Sequence, residues 1–241
     1  MKKIIAVLFA ISLLSCQSIN INDRHYKSSN STTELGSVGQ SKTTFITNLF
    51  YTHAFPKFEN KIRVDIKFVP FNKKIFKIYT QKLNADQQLR IQYSDSSTIK
   101  PSFVTIDILD ISAYITELNK PINKEVVNYL KNNSKTKIIT SISIAISIEN
   151  SSKIRQADSY YLTNSQDNKY QITLYKSNKK TDVLDIPSST IFAYELGKCC
   201  WSMNDKSNWT LTDIIKENSS CSGNTFPEIT NKQETKNLFK M

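Results

Sequence analysis

The chain has 241 residues and a formal net charge of +11, and hydrophobic residues make up 39% of it. That length and apolar content predict a folded protein of one or two domains. With only four glycines, the chain lacks the P-loop and the dinucleotide-binding motif, which both need several glycines at fixed offsets.

The basic residues are almost all lysines, with only Arg24, Arg63, Arg90 and Arg155 as exceptions. Arginine supplies the planar fork that suits phosphate and base recognition, whereas lysine is a hydrated point charge. The composition therefore disfavours a nucleic-acid partner.

Residues 1–15 have the three parts of a secretion signal. Lys2 and Lys3 are followed by the apolar run 4–11 and then by small or apolar residues up to Cys16. Because the apolar run is too short to cross about 30 Å of hydrocarbon, a permanent N-terminal membrane span is disfavoured.

The end of this segment, Leu13, Leu14, Ser15 and Cys16, resembles the lipobox of bacterial lipoproteins. An aliphatic residue lies three positions before the cysteine and a small residue directly before it. The resemblance implies cleavage before Cys16, a diacylglycerol on its sulfur and usually an acylated amine. Such chains contribute about 0.8 kcal/mol per buried methylene, so the mature protein would stay on a membrane. The alternative is an ordinary signal peptide with a chance cysteine.

The residues directly after Cys16 bear on the location of the mature protein in the cell envelope. In lipoprotein sorting, as the resemblance implies it, Asp just after the cysteine favours inner-membrane retention, and acidic clusters there favour surface export. Gln17, Ser18 and Ile19 supply neither. We therefore expect an outer-membrane lipoprotein that faces the periplasm, with surface exposure as the alternative.

From Cys16 to residue 44 the chain is polar and rich in Ser, Asn and Thr, without sustained periodicity. This composition predicts a flexible tether, with a root-mean-square span of roughly 30 Å.

Between residues 45 and 226, apolar and polar residues alternate with the period of a half-buried β-strand. The clearest case is Ile142, Ile144, Ile146 and Ile148. Strand candidates lie near 45–52, 62–69, 75–82, 89–94, 103–111, 138–148, 157–163, 169–176, 182–186 and 190–203. The pattern predicts a mainly β fold, an antiparallel β-sandwich-like domain preceded by the tether.

One or two short helices are expected within this domain. Ile122, Val126, Tyr129 and Leu130 fall on one helical face after Pro121. A second, shorter helix is predicted after Trp209. The polar tail, residues 227–241, is expected to fray or to dock as a short helix.

Three cysteines follow in the domain: the adjacent Cys199 and Cys200, and then Cys221. In an exported chain these predict one disulfide between Cys221 and one of the adjacent pair. The sequence leaves open which one, and a zinc site or a vicinal disulfide are weaker alternatives. No cofactor is implied.

Catalytic signals are weak. His53 is the one histidine of the predicted domain, and no G-x-S-x-G elbow accompanies it. Two acidic pairs, Asp107 with Asp110 and Asp182 with Asp185, could divide acid and base roles, but solvated caps are the simpler interpretation.

Aromatic residues offer another candidate site, a sugar-stacking platform, although the alternation of Phe192, Tyr194 and Leu196 favours core packing. Its members would be Tyr160, Tyr161, Tyr194, Trp201 and Trp209.

Three functional hypotheses follow. The first is a membrane-anchored envelope lipoprotein with a non-enzymatic binding or scaffolding role, whose partner is an envelope protein or a glycan. The second is an envelope hydrolase that acts on glycan or ester bonds. The third is a surface-exposed, ligand-binding antigen.

Overall fold

The computed structural model describes residues 18–29, 31, 33–43, 48–82, 91–165, 169–187, 190–205 and 208–229. The signal segment, Cys16 and most of the polar tail lie outside these residues. Within them the chain is mainly β, with one large antiparallel sheet and four short α-helices. The predicted fold class is therefore confirmed, with more helices than the one or two expected.

The strands are β1 (Ser18–Ile21), β2 (Arg24–Ser28), β3 (Val38–Thr43), β4 (Asn48–Ala54), β5 (Ile62–Pro70), β6 (Ser102–Ile108), β7 (Thr136–Ile144), β8 (Ser159–Asn164), β9 (Tyr170–Lys176), β10 (Lys179–Asp185), β11 (Ile191–Met203) and β12 (Trp209–Lys216). The helices are α1 (Lys73–Lys82), α2 (Ile111–Leu118), α3 (Lys124–Asn132) and α4 (Ile148–Gln156), and a 3-10 turn at Pro121–Asn123 precedes α3.

Strands β7 and β11 form the centre of the sheet, and each changes partners along its length. β11 pairs with β7 along one edge. Along its other edge it pairs with β2 at Ala193 and Tyr194, and with β12 from Gly197 onward. β7 likewise pairs first with β3 and then with β6. The sheet therefore forks, with the path β1-β2-β11-β7-β6-β5-β8-β9-β10 as one branch and β3, β4 and β12 beside it.

One face of the sheet carries the larger core. Alternate residues of β5 and β6, such as Val64, Ile66, Val104 and Ile106, belong to it. Helices α2, α3 and α4 cover this face with Tyr114, Ile115, Leu118, Val127, Leu130 and Ile154. The period-two pattern of the sequence predicts these strands because each strand has one face against this core.

The opposite face carries a smaller, aromatic core. Rings of Phe71, Tyr79, Phe103 and Phe192 pack against one another with centroids 4.9–6.1 Å apart. Helix α1 contributes Ile75 and Tyr79, and the N-terminal hairpin contributes Ile19, Ile21 and Tyr26. The hairpin is thus an integral part of the fold.

The flexible tether predicted for residues 16–44 is wrong from Ser18 onward, because β1, β2 and β3 lie in this stretch. The reason is a two-residue hairpin turn, Asn22–Asp23, in which both residues have positive φ (48° and 61°). Asn and Asp tolerate that conformation, which matches the twist of paired strands. Ile19 is 0% exposed, so this mostly polar stretch contains buried apolar residues that alternate with exposed polar ones.

Three other predicted elements are also corrected. The strand candidate at 75–82 lies in helix α1, where Ile75 and Tyr79 share a buried face and Asn72 caps the helix through its bond to the Ile75 amide. The helix predicted after Trp209 is strand β12. The candidate at 89–94 is not a strand over its described residues, 91–94.

The helix predicted after Pro121 is confirmed as the 3-10 turn followed by α3. Its buried face differs slightly from the prediction, because Ile122 is 49% exposed and Val127 packs into the core. The strand candidates at 157–163 and 169–176 are present as β8 and β9, which pair antiparallel.

Candidate functional site

A concave surface lies at the fork between β2 and β12. Both strands pair with the same edge of β11, which leaves Glu195 and Leu196 between them. A cleft of about 700 Å³ opens there. Its wall includes Ser18, Arg24, Lys27, Glu195, Lys216 and Glu217. These wall residues are polar or charged, and the charges are of both signs.

Arg24 forms ion pairs with two carboxylates at the cleft. Its guanidinium donates to Asp107 Oδ1 at 2.7 Å and to a Glu195 carboxylate oxygen. Both acids are buried, at 9% and 8% exposure. Burial lowers the pKa of Arg24, but the hydrogen bond to Glu195 and the charges of Asp107 and Glu195 outweigh it and raise this pKa above its ordinary value. Arg24 thus compensates two buried carboxylates.

Tyr26 extends this arrangement on the same face of β2. Its hydroxyl lies 2.8 Å from Ser141 Oγ, and its ring lies 5.5 Å from the guanidinium carbon of Arg24. Burial raises the pKa of Tyr26 well above its ordinary value. We call Arg24, Tyr26, Asp107, Ser141 and Glu195 the arginine network.

Lys27 joins the two walls of the cleft. Its Nζ lies 2.9 Å from Glu217 Oε2, and Glu217 directly follows β12. The Glu217 amide in turn donates to the Leu196 carbonyl at 3.1 Å. The ends of β2 and β12 are therefore held together across the fork.

Lys82, at the end of α1, is a second partly buried cation, with a different environment. Its Nζ donates to Ser29 Oγ at 3.0 Å and to the carbonyls of Ser31 and Ile191. These acceptors are neutral, and burial lowers the pKa of Lys82 to about 8. Lys82 fastens the helix to the segment after β2 and to the start of β11.

The structure decides between the adjacent cysteines. Cys200 and Cys221 form a disulfide, which confirms the predicted bridge, and Cys199 is free and buried. Neighbouring residues of a strand point to opposite faces, so Cys199 belongs to the larger core. Burial raises the pKa of the Cys199 thiol to about 12. The thiol is therefore a poor nucleophile at neutral pH.

The predicted catalytic residues do not come together. Asp107 belongs to the arginine network, whereas Asp110 caps α2 through its bond to the Ala113 amide. Asp182 pairs with Lys153 of α4 at 3.2 Å. His53 is an exposed residue of β4, and its ring lies 5.4 Å from that of Tyr129.

The aromatic residues of the predicted sugar-stacking platform are also dispersed. Tyr160 and Tyr161 lie on β8, and Tyr194 and Trp201 lie on β11, with β5, β6 and β7 between these strands. Tyr194 and Trp201 are buried, as the core-packing interpretation predicts. Trp209 packs edge-on against Phe226.

Two kinds of feature are absent from the described residues. They contain no group of three or more His, Cys, Asp or Glu side chains that could hold a metal ion. Among their helices, none combines the length and the apolar character that a membrane crossing requires.

Sequence reasoning missed the residues of the cleft because several of them lie in the predicted tether. The signal that could have found them is Ile19 and Ile21 followed by Asn22–Asp23, a short alternation before a hairpin turn. Comparison of the chain with protein-family models, curated proteins and solved structures finds no match.

Proposed function

We propose that the protein is an envelope lipoprotein, anchored to the outer membrane through Cys16 and facing the periplasm, and that its β-domain acts by binding or scaffolding. The observation that carries the proposal is the lipobox Leu13-Leu14-Ser15-Cys16 after a basic and apolar leader. The Cys200–Cys221 disulfide supports an exported location, because such bonds persist in oxidising compartments.

Binding is favoured over hydrolysis by the state of the acids in the cleft. Glu195 lines the cleft, but its carboxylate accepts a hydrogen bond from Arg24, which also donates to Asp107. A general acid or base needs a pKa near the working pH and a free path to the substrate. Because the Arg24 guanidinium engages both carboxylates, a substrate has no free path to either of them. The partner proposed here is an envelope protein or a glycan.

The anchor is tested by labelling cells with radioactive palmitate. The natural protein and a Cys199→Ser variant should incorporate label, whereas Cys16→Ser should not. Mass spectrometry of the mature amino terminus should show an acylated cysteine. An unmodified terminus with its leader still attached would overturn the proposal.

The membrane and the partner need separate tests. Gln17→Asp should move the protein from the outer-membrane to the inner-membrane fraction, because Asp after the lipidated cysteine favours retention in the lipoproteins that this signal resembles. Protease treatment of intact cells should leave the domain uncut.

Mild crosslinking should retrieve a stoichiometric envelope component, and repeated recovery of the protein alone would contradict the scaffolding role.

A further inference from the structure

The distance between the anchor and the fold is short. Only Gln17 separates Cys16 from Ser18, the first residue of β1. Two residue steps span at most about 7 Å. Ser18 therefore cannot move farther than this from the α-carbon of the acylated cysteine.

Ser18 itself is fixed to the rest of the domain. It pairs with Lys27 in the β1–β2 hairpin, and the next residue, Ile19, is fully buried in the aromatic core. Pulling β1 away from the sheet would expose Ile19 and Ile21 to water. The attachment point thus moves with the whole domain.

Ser18 also lines the cleft at the fork, together with Lys216 at the end of β12 and the residues 217–219 that follow it. Lys216, Asn218 and Ser219 are exposed. Glu217 is paired with Lys27. The neighbouring Lys216 is exposed at the rim of the cleft. A cation at this place suits the phosphates of a lipid surface.

We infer that the rim of the cleft, formed by Ser18 and the end of β12, contacts the phospholipid headgroups of the membrane that holds the acyl chains. The inference rests on the lipidation of Cys16 proposed above. A bilayer is the occupant because a linker of one residue, Gln17, keeps headgroups at a high effective concentration beside this rim. The domain consequently has one orientation on the membrane and does not sample the space above it.

The opposite edge of the sheet provides an internal reference. β10 is separated from β1 by eight strand-to-strand steps along the sheet, which is up to about 38 Å at the usual strand spacing. Lys179 lies at the start of β10 and is exposed, like Lys216. The two lysines form a matched pair for labelling.

The experiment uses the full lipidated protein in liposomes of phosphatidylethanolamine and phosphatidylglycerol. Lys216→Cys and Lys179→Cys variants each carry one fluorophore, since Cys199 is buried and Cys200 and Cys221 are bonded. The collisional quencher is a lipid with a nitroxide on its headgroup. The label at 216 should be quenched several-fold more strongly than the label at 179.

A third variant of the protein carries twenty Gly and Ser residues inserted between Gln17 and Ser18, which gives a coil of roughly 25 Å. It should remain acylated and float with the liposomes, but the difference between the two labels should disappear. Equal quenching of both labels in the uninserted, acylated, floating protein would overturn the inference and leave the proposed anchor intact. Failure of acylation or flotation would overturn both.

Discussion

Arg24 and Lys82 are two partly buried cations on strands and helices that pack around the aromatic core, yet their electrostatics are opposite. Arg24 has two buried carboxylates as partners, and its pKa rises. Lys82 has a hydroxyl and two carbonyls, and its pKa falls to about 8. Burial alone therefore does not decide the charge of a side chain, because the charge of its partners does. Arg24 is committed to its charge, whereas Lys82 can lose its proton in mildly alkaline solution.

The largest effect is expected from Arg24→Met. Asp107 and Glu195 would remain buried without a cation, which typically costs about 3–5 kcal/mol of unfolding free energy. Urea unfolding at pH 7 measures this loss of unfolding free energy. The control is Arg63→Met on an exposed position of β5, which should change stability by less than about 0.5 kcal/mol. Equal effects of the two substitutions would contradict the role given to the network.

A smaller, pH-dependent effect is expected at Lys82. Its pKa is lower in the folded protein than in the unfolded chain, so between about pH 8 and 10.5 the unfolded chain binds more protons and stability rises with pH. Between pH 7 and 9.5 this rise should be about 1–2 kcal/mol. Urea unfolding should show that Lys82→Met lacks this rise and that Lys77→Met, an exposed position of the same helix, retains it. Parallel pH profiles of stability for the unsubstituted protein and both variants would contradict the lowered pKa of Lys82.

Giving Lys82 a carboxylate should convert it into a site of the Arg24 kind. Ser29 Oγ lies 3.0 Å from its Nζ, so Ser29→Asp should raise the pKa of Lys82 and remove most of the alkaline rise of about 1–2 kcal/mol. Ser29→Asn has nearly the same shape without the charge. If the Asn variant flattens the pH profile as much as the Asp variant, packing and not charge is responsible.

The smallest effect is expected from Tyr26→Phe, which removes the hydroxyl bonded to Ser141 but keeps the ring. The loss should be about 1 kcal/mol in urea unfolding, the typical net value of such a hydrogen bond. Tyr51→Phe, on a side chain that is 47% exposed, should be close to neutral. A loss at Tyr26 as large as that of Arg24→Met would mean that the hydroxyl, and not the ion pairs, holds the network together.

The central strands could be predicted from the sequence because branched aliphatic residues recur at every second position over part of each strand. β5 and β6 alternate between a branched aliphatic face and a polar or mixed face. β7 is less regular, because Ile138 and Ile139 are adjacent and both buried, and the predicted alternation runs past its end to Ile148, which is exposed at the start of α4. β1 and β2 are only four and five residues long, and their apolar residues are isolated among Ser, Asn and Lys. By composition such short strands resemble a coil, and the only sequence signal for them is the alternation of Ile19 and Ile21 before the turn at Asn22–Asp23.

Helix α1 shows a different limit. Its Ile, Phe and Tyr residues favour a strand by propensity, but Asn72 caps the first turn and the burial of Ile75 and Tyr79 follows a helical period. Long-range packing against Phe71 and Phe192 settles the choice. The arginine network was equally beyond prediction, because Asp107 and Glu195 lie 83 and 171 residues from Arg24 along the chain.

The adjacent cysteines have a consequence for oxidative folding. Since Cys199 and Cys200 point to opposite sides of β11, a bridge from Cys221 to Cys199 would require the strand to slip by one residue. Such a slip would turn Trp201, now 2% exposed, out of the core. The mispaired isomer is thus less stable than the native one. Thiol-disulfide exchange should therefore convert it to the native bond without a disulfide isomerase.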